Sequence, residues 1–152
     1  MILIDLGKQE LTFQGRTYSV STAKRGAGEK NGSFCTPRGR HIVRAKIGAG
    51  RPAGTVFVRR RPTGELWSPE LDAKYPGRDW ILTRILWLSG CERGKNRLGD
   101  VDTMRRYIYI HGSPDRAEMG KPGSIGCVRM HNKDIVELFD LVPPYTEVEI
   151  RG

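Results

Sequence analysis

The clearest strand in the sequence is Tyr107-Ile108-Tyr109-Ile110, and it runs directly into His111-Gly112. Aromatic and β-branched residues in a short run are typical of a strand with a buried face. After a loop comes a second segment of interest, Ser124-Ile125-Gly126-Cys127-Val128-Arg129-Met130. The first segment predicts a strand that ends in a histidine, and the second predicts a glycine turn that carries a cysteine.

Outward from these segments, alternating apolar residues predict that most of the chain forms β-strands. The other predicted strands are Ile2 to Leu6, Leu11 to Phe13, Tyr18 to Val20, Arg40 to Ile47, Thr55 to Arg61, Trp80 to Leu88 and Glu147 to Ile150. The predicted loops are Lys24 to Gly39, Pro62 to Arg78 and Gly90 to Asp102. The one predicted helix is Lys133 to Leu141, with Asn132 as its N-cap. We therefore expect one mostly-β domain over residues 1–152 with a single short C-terminal helix.

Composition limits the function classes. The 152 residues include 26 Lys plus Arg against 17 Asp plus Glu, a formal net charge of +9 that favours acidic partners. The three cysteines, Cys35, Cys91 and Cys127, cannot all pair and form no C-x-x-C motif, which is typical of reduced cytosolic thiols. Met1 to Asp5 does not open like a secretory signal, and no apolar run approaches the roughly 20 residues of a membrane span. These features predict a cytoplasmic protein that does not bind membranes.

Cys127 and His111 are the candidates for nucleophilic chemistry. A cysteine attacks a carbonyl as its thiolate, and a nearby imidazole is the usual base that produces the thiolate. The backbone amides of Gly126 and Cys127 could point at a developing oxyanion. Arg129, two residues further on, offers a planar guanidinium for a carboxylate.

Two other interpretations of the same residues are weaker. Cys127, His131 and His111 have side chains that bind zinc, but no fourth ligand stands at a recognisable spacing, so we expect no metal. Arg59-Arg60-Arg61 could bind nucleic acid together with Trp67 or Trp80. The other basic residues are dispersed and no RNA-binding motif is present, so we expect the arginines to form a solvated strand edge and no nucleic acid to bind.

Taken together, the motifs resemble the catalytic domain of the L,D-transpeptidase family. The likeness rests on His111-Gly112 followed by Ser124-x-Gly126-Cys127-x-Arg129. Weaker matches are Ile4-Asp5-Leu6-x-x-Gln9-x-Leu11, Thr36-Pro37-Arg38-Gly39 and Arg106 to His111, in the expected order along almost the whole chain. The resemblance implies a β-sandwich with the cysteine and histidine at one end.

The resemblance also implies a reaction and its residues. Cys127 would attack the carbonyl at the L-centre of diaminopimelate in a peptidoglycan stem peptide, and His111 would take the thiol proton. The carbonyl of Gly112 would orient the imidazole, and Arg129, Ser124 and Tyr109 are the expected substrate contacts. Water or an amine would release the thioester, without a cofactor.

The sequence departs from the family in two ways. Ile125 stands where the family usually has a histidine between the serine and the glycine, although the implied base, His111, is retained. The chain also shows no leader peptide, whereas the crosslinking enzymes work outside the cytoplasmic membrane. We therefore expect an L,D-carboxypeptidase that releases D-Ala from tetrapeptides or muropeptides in cytoplasmic wall recycling. The alternatives are a transpeptidase that makes crosslinks or exchanges D-amino acids, and a domain that binds wall peptides without cleaving them.

Overall fold

Ten β-strands and two helices make up the structure, a computed structural model that describes residues 1–152. The strands are β1 (Ile2–Asp5), β2 (Glu10–Phe13), β3 (Arg16–Ser19), β4 (Gly39–Ile47), β5 (Thr55–Val58), β6 (Arg61–Leu66), β7 (Ile81–Gly90), β8 (Tyr109–Gly112), β9 (Val128–Met130) and β10 (Glu147–Arg151). The helices are α1 (Pro69–Lys74) and α2 (Asn132–Leu141), with one 3-10 turn at Gly99–Val101. The predicted mostly-β class with one main C-terminal helix is confirmed.

All ten strands belong to one curled sheet. Its order is β3-β2-β1-β10-β4-β7-β5-β6, and β8 branches from this path by pairing with β7 on one side and β9 on the other. The β7–β8 pair is antiparallel, whereas β8–β9 and β1–β10 are parallel. The long central strand β7 therefore supports the short β8–β9 pair. His111 lies on β8, and Cys127 directly precedes β9.

The main core lies between one face of this sheet and helix α2. Ile110, Val128 and Met130 point into it from β8 and β9, and Ile135 and Leu138 enter it from α2. All five side chains are fully buried. Since successive side chains of a strand point to opposite faces, the residues between them on β8 and β9 face away from this core.

The structure differs from the sequence-based expectations at several places. Strand β9 was not predicted, and β8 begins at Tyr109 instead of Tyr107, because Tyr107 lies in a turn with a φ of 57°. The predicted strand Thr55 to Arg61 is two strands joined by a turn at Arg59-Arg60, where the φ angles are 50° and 65°. The predicted loop from Pro62 contains β6 and the helix α1, which begins where the Ser68 hydroxyl accepts a hydrogen bond from the Leu71 amide (3.1 Å). Helix α2 begins one residue early, with His131 as its N-cap. No helix has the length and apolar character needed to cross a bilayer.

His41 is expected to make the fold sensitive to acid. Its ring is buried on β4, with the Gly39 carbonyl 3.0 Å from Nδ1 and the Thr103 hydroxyl 2.9 Å from Nε2. Burial lowers the pKa of His41 to about 4. Since the unfolded chain then takes up the proton first, stability is full above the ordinary value of 6.5 and declines as the pH falls towards 4. We expect a loss of about 3 kcal/mol over this range.

Urea unfolding of the wild type and of His41→Gln, at pH 7.5 and pH 4.5, measures this contribution. The variant is expected to be less stable at pH 7.5 but to lose less stability on acidification. An equal loss in both proteins would show that His41 is not the group that titrates.

Candidate active site

His111 and Cys127 lie on the same side of the β8–β9 pair. The parallel register places Ile110 beside Val128 and His111 beside Arg129. Ile110 and Val128 point into the core. Because neighbouring side chains of a strand alternate, His111 and Cys127 point to the other face. The structure therefore brings together the two residues that the sequence singled out, 16 positions apart in the chain.

The imidazole of His111 is held in one orientation. Its Nδ1 lies 2.6 Å from the main-chain carbonyl of Gly112, and the side chain is 0% exposed. A carbonyl only accepts, so Nδ1 carries the proton and Nε2 has the free lone pair. Nε2 is buried and has no hydrogen-bond partner in the protein. Burial lowers the pKa of His111, and the opposing effects of Asp79 and the Gly112 carbonyl do not reverse this shift, so the ring is a neutral base at pH 7.

Gly112 occupies a position that has no room for a side chain. An added Cβ would lie 2.4 Å from Asn132 Oδ1, 2.6 Å from the Leu82 carbonyl oxygen and 2.9 Å from the Thr83 Cβ. Thr83 sits at a bulge in β7 with a φ of 74°, and its hydroxyl donates to Asn132 (2.6 Å). A β-branched residue in the left-handed region is strained, and this strained residue packs against Gly112, whose carbonyl orients His111.

Gly112→Ala is expected to destabilise the protein by about 1–3 kcal/mol, since the Leu82 carbonyl is backbone and cannot move aside cheaply. It should also slow the reaction by displacing the carbonyl from His111. Urea unfolding and a kinetic assay measure the two effects. Gly7→Ala is the matched control, because its Cβ would meet only the flexible Asp5 carboxylate at 3.3 Å. Equal stability of both variants would contradict the close packing at Gly112.

The thiol of Cys127 is half-buried and faces the backbone of the preceding strand. Sγ accepts from the Tyr109 amide (3.3 Å) and donates to the Tyr107 carbonyl (3.4 Å), and no hydrogen bond joins it to His111. Burial raises the pKa of Cys127 to about 12, with Asp79 acting in the same direction. The resting group is therefore a neutral thiol, which must turn from the Tyr107 carbonyl to the imidazole before it reacts. Such hydrogen bonds are often loose without substrate and tighten when it binds.

The turn before Cys127 is fixed by two hydroxyl groups. Ser124 Oγ donates to the Cys127 carbonyl (2.6 Å) and accepts from the Gly126 amide (3.2 Å). Thr36 Oγ1 donates to the Gly126 carbonyl (2.9 Å), which links the Thr-Pro-Arg-Gly segment to this turn. Of the two amides predicted to bind an oxyanion, that of Gly126 is already engaged, whereas that of Cys127 donates to no protein acceptor. The buried Ser124 hydroxyl positions the turn.

Arg129 and Tyr109, both predicted to contact substrate, have protein partners. Arg129 forms an ion pair with Asp79 (2.7 Å) and donates to the Gly123 carbonyl (3.0 Å). Tyr109 is buried, its amide contacts the thiol, and its hydroxyl accepts from Arg60 Nη1 (2.9 Å). Asp79 was not predicted as a site residue, because it belongs to no motif.

Cys127 opens into a pocket of about 790 Å³. The lining residues are Asn31, Gly32, Phe34, Arg59, Arg60, Asp79, Ile81, Arg106, Tyr107, Ile108, Tyr109, Ile125 and Cys127. Arg106 holds one wall in place by donating to the Cys35 carbonyl (2.6 Å), the Ser33 hydroxyl (3.3 Å) and the carbonyls of Gly28 and Glu29 (both 3.3 Å). The loop predicted from the glycine-rich segment is thus tied by hydrogen bonds to the turn that precedes β8.

Ile125 forms a ridge between this pocket and a smaller one. Its side chain is 55% exposed. The smaller pocket measures about 260 Å³ and is also lined by Asp79 and Arg129. Ile125 therefore places an exposed apolar side chain in the pocket of the thiol, at the position where the family usually has a histidine.

The structure shows where the residues of the two weaker interpretations lie. Cys127 and His131 lie at opposite ends of strand β9 instead of on one helical turn, and no three His, Cys, Asp or Glu side chains gather as a metal site. Trp80 is 2% exposed, and its Nε1 donates to Asp72 (2.8 Å), so it offers no stacking platform for a base. The arginine cluster is not only a solvated edge, because Arg60 reaches the pocket.

Comparisons with known proteins agree with this geometry. The family described as the L,D-transpeptidase catalytic domain (YkuD) matches residues 1–150. A relative from Salmonella typhimurium, named "Probable L,D-transpeptidase ErfK/SrfK", is 32% identical over 120 residues, which cover 65% of this chain and 39% of the relative. The matches span only 26–49% of the length of five curated relatives.

Solved structures share the fold. An L,D-transpeptidase from Mycobacterium smegmatis has a TM-score of 0.55 at 18% identity, covering 99% of this chain and 58% of that one. L,D-transpeptidase 3 from Mycobacterium tuberculosis has a TM-score of 0.58 at 12% identity, covering 99% and 60%. The family match over nearly the whole chain is the stronger finding, and by it this chain belongs to the L,D-transpeptidase catalytic domain family.

Proposed function

We propose that the protein transfers the acyl group of a peptidoglycan stem peptide through a thioester on Cys127. The observation that carries this proposal is the buried ring of His111, with Nδ1 fixed by Gly112 and Nε2 unpartnered, on the same face as the half-buried thiol. An oriented base beside a nucleophile in a pocket is the arrangement that acyl transfer needs.

The first half of the reaction forms the thioester. His111 Nε2 takes the proton of Cys127 while Sγ bonds to the carbonyl carbon of diaminopimelate. The resulting oxyanion accepts a hydrogen bond from the Cys127 amide, which has no other acceptor. When the carbonyl reforms, the C–N bond to D-Ala breaks, and the departing amine takes the proton from His111. Because burial keeps the resting thiol neutral, its proton has to pass to His111 before or while the C–S bond forms.

The second half consumes the thioester, and we propose that water is the acceptor. His111 Nε2 then takes a proton from water, the hydroxyl attacks the thioester, and Sγ recovers the proton as the tripeptide leaves. The smaller pocket shares Asp79 and Ile125 with the pocket of the thiol, and it supports a small acceptor, since its volume of about 260 Å³ corresponds to roughly nine water molecules. This space also suits a single D-amino acid, so exchange is the second candidate. We propose the cytoplasmic recycling of wall peptides as the setting.

Chromatography with mass detection tests the proposal. The protein is incubated with L-Ala-D-Glu-diaminopimelate-D-Ala, with and without D-Met. Tripeptide and free D-Ala as the main products would support the carboxypeptidase, and a predominant D-Met-containing tetrapeptide would identify the exchange reaction instead. If the peptide binds but yields no product and no adduct on Cys127, acyl transfer is overturned. The remaining interpretation would then be a domain that binds wall peptides without cleaving them.

A further inference from the structure

Arg60 occupies a strained position in the turn between β5 and β6. The turn residues Arg59 and Arg60 have φ angles of 50° and 65°. Two-residue hairpin turns with both residues in the left-handed region strongly prefer Asn-Gly or Asp-Gly, because a side chain costs energy there. Strained residues that persist in a structure cluster at functional sites. The strain at Arg60 therefore points to a functional role for its side chain.

The guanidinium of Arg60 is held in place by aromatic groups. Its Cζ lies 4.7 Å from the ring centroid of Trp87 and 4.8 Å from that of Tyr107, and Nη1 donates to the Tyr109 hydroxyl (2.9 Å). A guanidinium has five N–H donors, and the hydrogen bond to Tyr109 uses one. Arg60 forms no ion pair and no other side-chain hydrogen bond within the protein. Four donors of a fixed cation are therefore available to a ligand.

The other arginines around the thiol are different. Arg129 is paired with Asp79, and Arg106 gives its donors to the loop at residues 28–35. Arg59 lines the pocket but is exposed and has no contact that fixes its side chain. Arg60 is thus the one cation of the pocket that is both fixed and unpaired.

Tyr109 connects Arg60 to the reacting atom. Its amide donates to Cys127 Sγ (3.3 Å), and its hydroxyl accepts from Arg60. The two ends of one tyrosine are separated by about 7 Å, so with the contacts of 3.3 Å and 2.9 Å the thiol and the guanidinium are at most about 13 Å apart. A substrate that contacts both groups at about 3 Å each therefore spans at most about 7 Å, the length of two residues of extended peptide. A carboxylate one or two residues from the attacked carbonyl can therefore meet the guanidinium while the carbonyl lies at the thiol.

We propose that Arg60 recognises a carboxylate of the substrate close to the bond that Cys127 attacks, and so selects anionic stem peptides. This inference rests on the proposed function. It assigns to Arg60 the carboxylate contact that the sequence had assigned to Arg129. Three carboxylates of the tetrapeptide are within the stated reach: the C-terminal group of D-Ala, the side-chain group of diaminopimelate and the α-carboxylate of D-Glu.

The test measures peptide binding without turnover, by calorimetry on the Cys127→Ala protein. Adding Arg60→Met should raise the Kd of the tetrapeptide by about 10- to 100-fold, the scale of a lost charged hydrogen bond. Arg60→Lys should recover only part of the affinity, because an ammonium lacks the planar fork. Arg61→Met is the matched control, since it removes the same charge from the same hairpin but outside the pocket. Equal weakening by Arg60→Met and Arg61→Met would overturn the proposal.

Three peptides, each with one carboxylate converted to an amide, identify the group that is recognised. The amide at that group should bind weakly to the protein that retains Arg60, and Arg60→Met should then cause no further loss. A loss from Arg60→Met that is equal for all three amides would overturn the proposal, because it would report damage to the hairpin. The protein with Cys127 intact is assayed in parallel. If all three amide peptides form the thioester as well as the unmodified peptide does, the proposed function stands and the role of Arg60 is rejected. If no variant binds the tetrapeptide, both proposals are rejected.

Discussion

Cys127→Ala is expected to abolish turnover, with a loss of at least about 10⁴-fold in kcat and no thioester detectable by mass spectrometry. The reason is that Cys127 carries the only thiol among the residues that line the pocket. The fold should persist, because the thiol is only half-buried and its two hydrogen bonds, to Tyr107 and Tyr109, are weak ones to backbone. Near-unchanged urea unfolding, together with the loss of turnover, would identify a chemical defect.

Cys91→Ala is the matched control for this experiment. Cys91 is exposed and stands outside the pocket, so its replacement should leave turnover unchanged. Residual wild-type activity in Cys127→Ala would remove Cys127 as the nucleophile. A comparable loss in Cys91→Ala would show that the reaction depends on a thiol elsewhere in the protein.

His111→Gln is expected to slow thioester formation by about 10²- to 10⁴-fold, the usual scale for a lost general base. Since burial lowers the pKa of His111, the neutral base is fully present at pH 7. The wild-type kcat/KM should therefore stay level near neutral pH and fall only below the ordinary value of 6.5, as the imidazole takes up a proton. This acidic limb should disappear in His111→Gln.

The alkaline side of the same profile separates two mechanisms. With a resting thiol whose pKa is about 12, the rate should not rise between pH 7 and pH 9. A rise over this range would mean that a thiolate formed beforehand is the reactive species. If His111→Gln retains the acidic limb of the profile, His111 is not the base, even if the substitution lowers kcat.

The fold was largely predictable because its signals are local. Alternating residues such as Ile2 and Ile4, and the run that ends at His111, carry strand periodicity in the sequence itself. The turn at Arg59-Arg60 was not predicted, because two arginines in the left-handed region run against the preference of such turns for glycine and asparagine. Strand β9 was missed because three residues are too few to show a period.

The site was predictable only where it coincides with a motif. Cys127, His111 and Gly112 stand in recognisable segments, and the structure places them together. Arg60 and Asp79 reach the same pocket from β5–β6 and from the residues before β7, and only the tertiary fold makes them neighbours. A sequence shows that an arginine is charged, but it does not show that Asp79 neutralises Arg129 while Arg60 is left unpaired.

The position of β10 in the sheet has a consequence for how the protein is made. The last strand lies between β1 and β4, so residues from the start of the chain have no partner on that side until Glu147 to Arg151 have emerged from the ribosome. At about 5–20 residues per second, adding the 146 residues from the end of β1 at Asp5 to the end of β10 at Arg151 takes roughly 7–30 s. During that time the edge of β1 is exposed and open to pairing with another chain. The central sheet therefore closes only after residue 151 has been added, and a nascent chain depends on that delay remaining shorter than the time in which exposed strands associate.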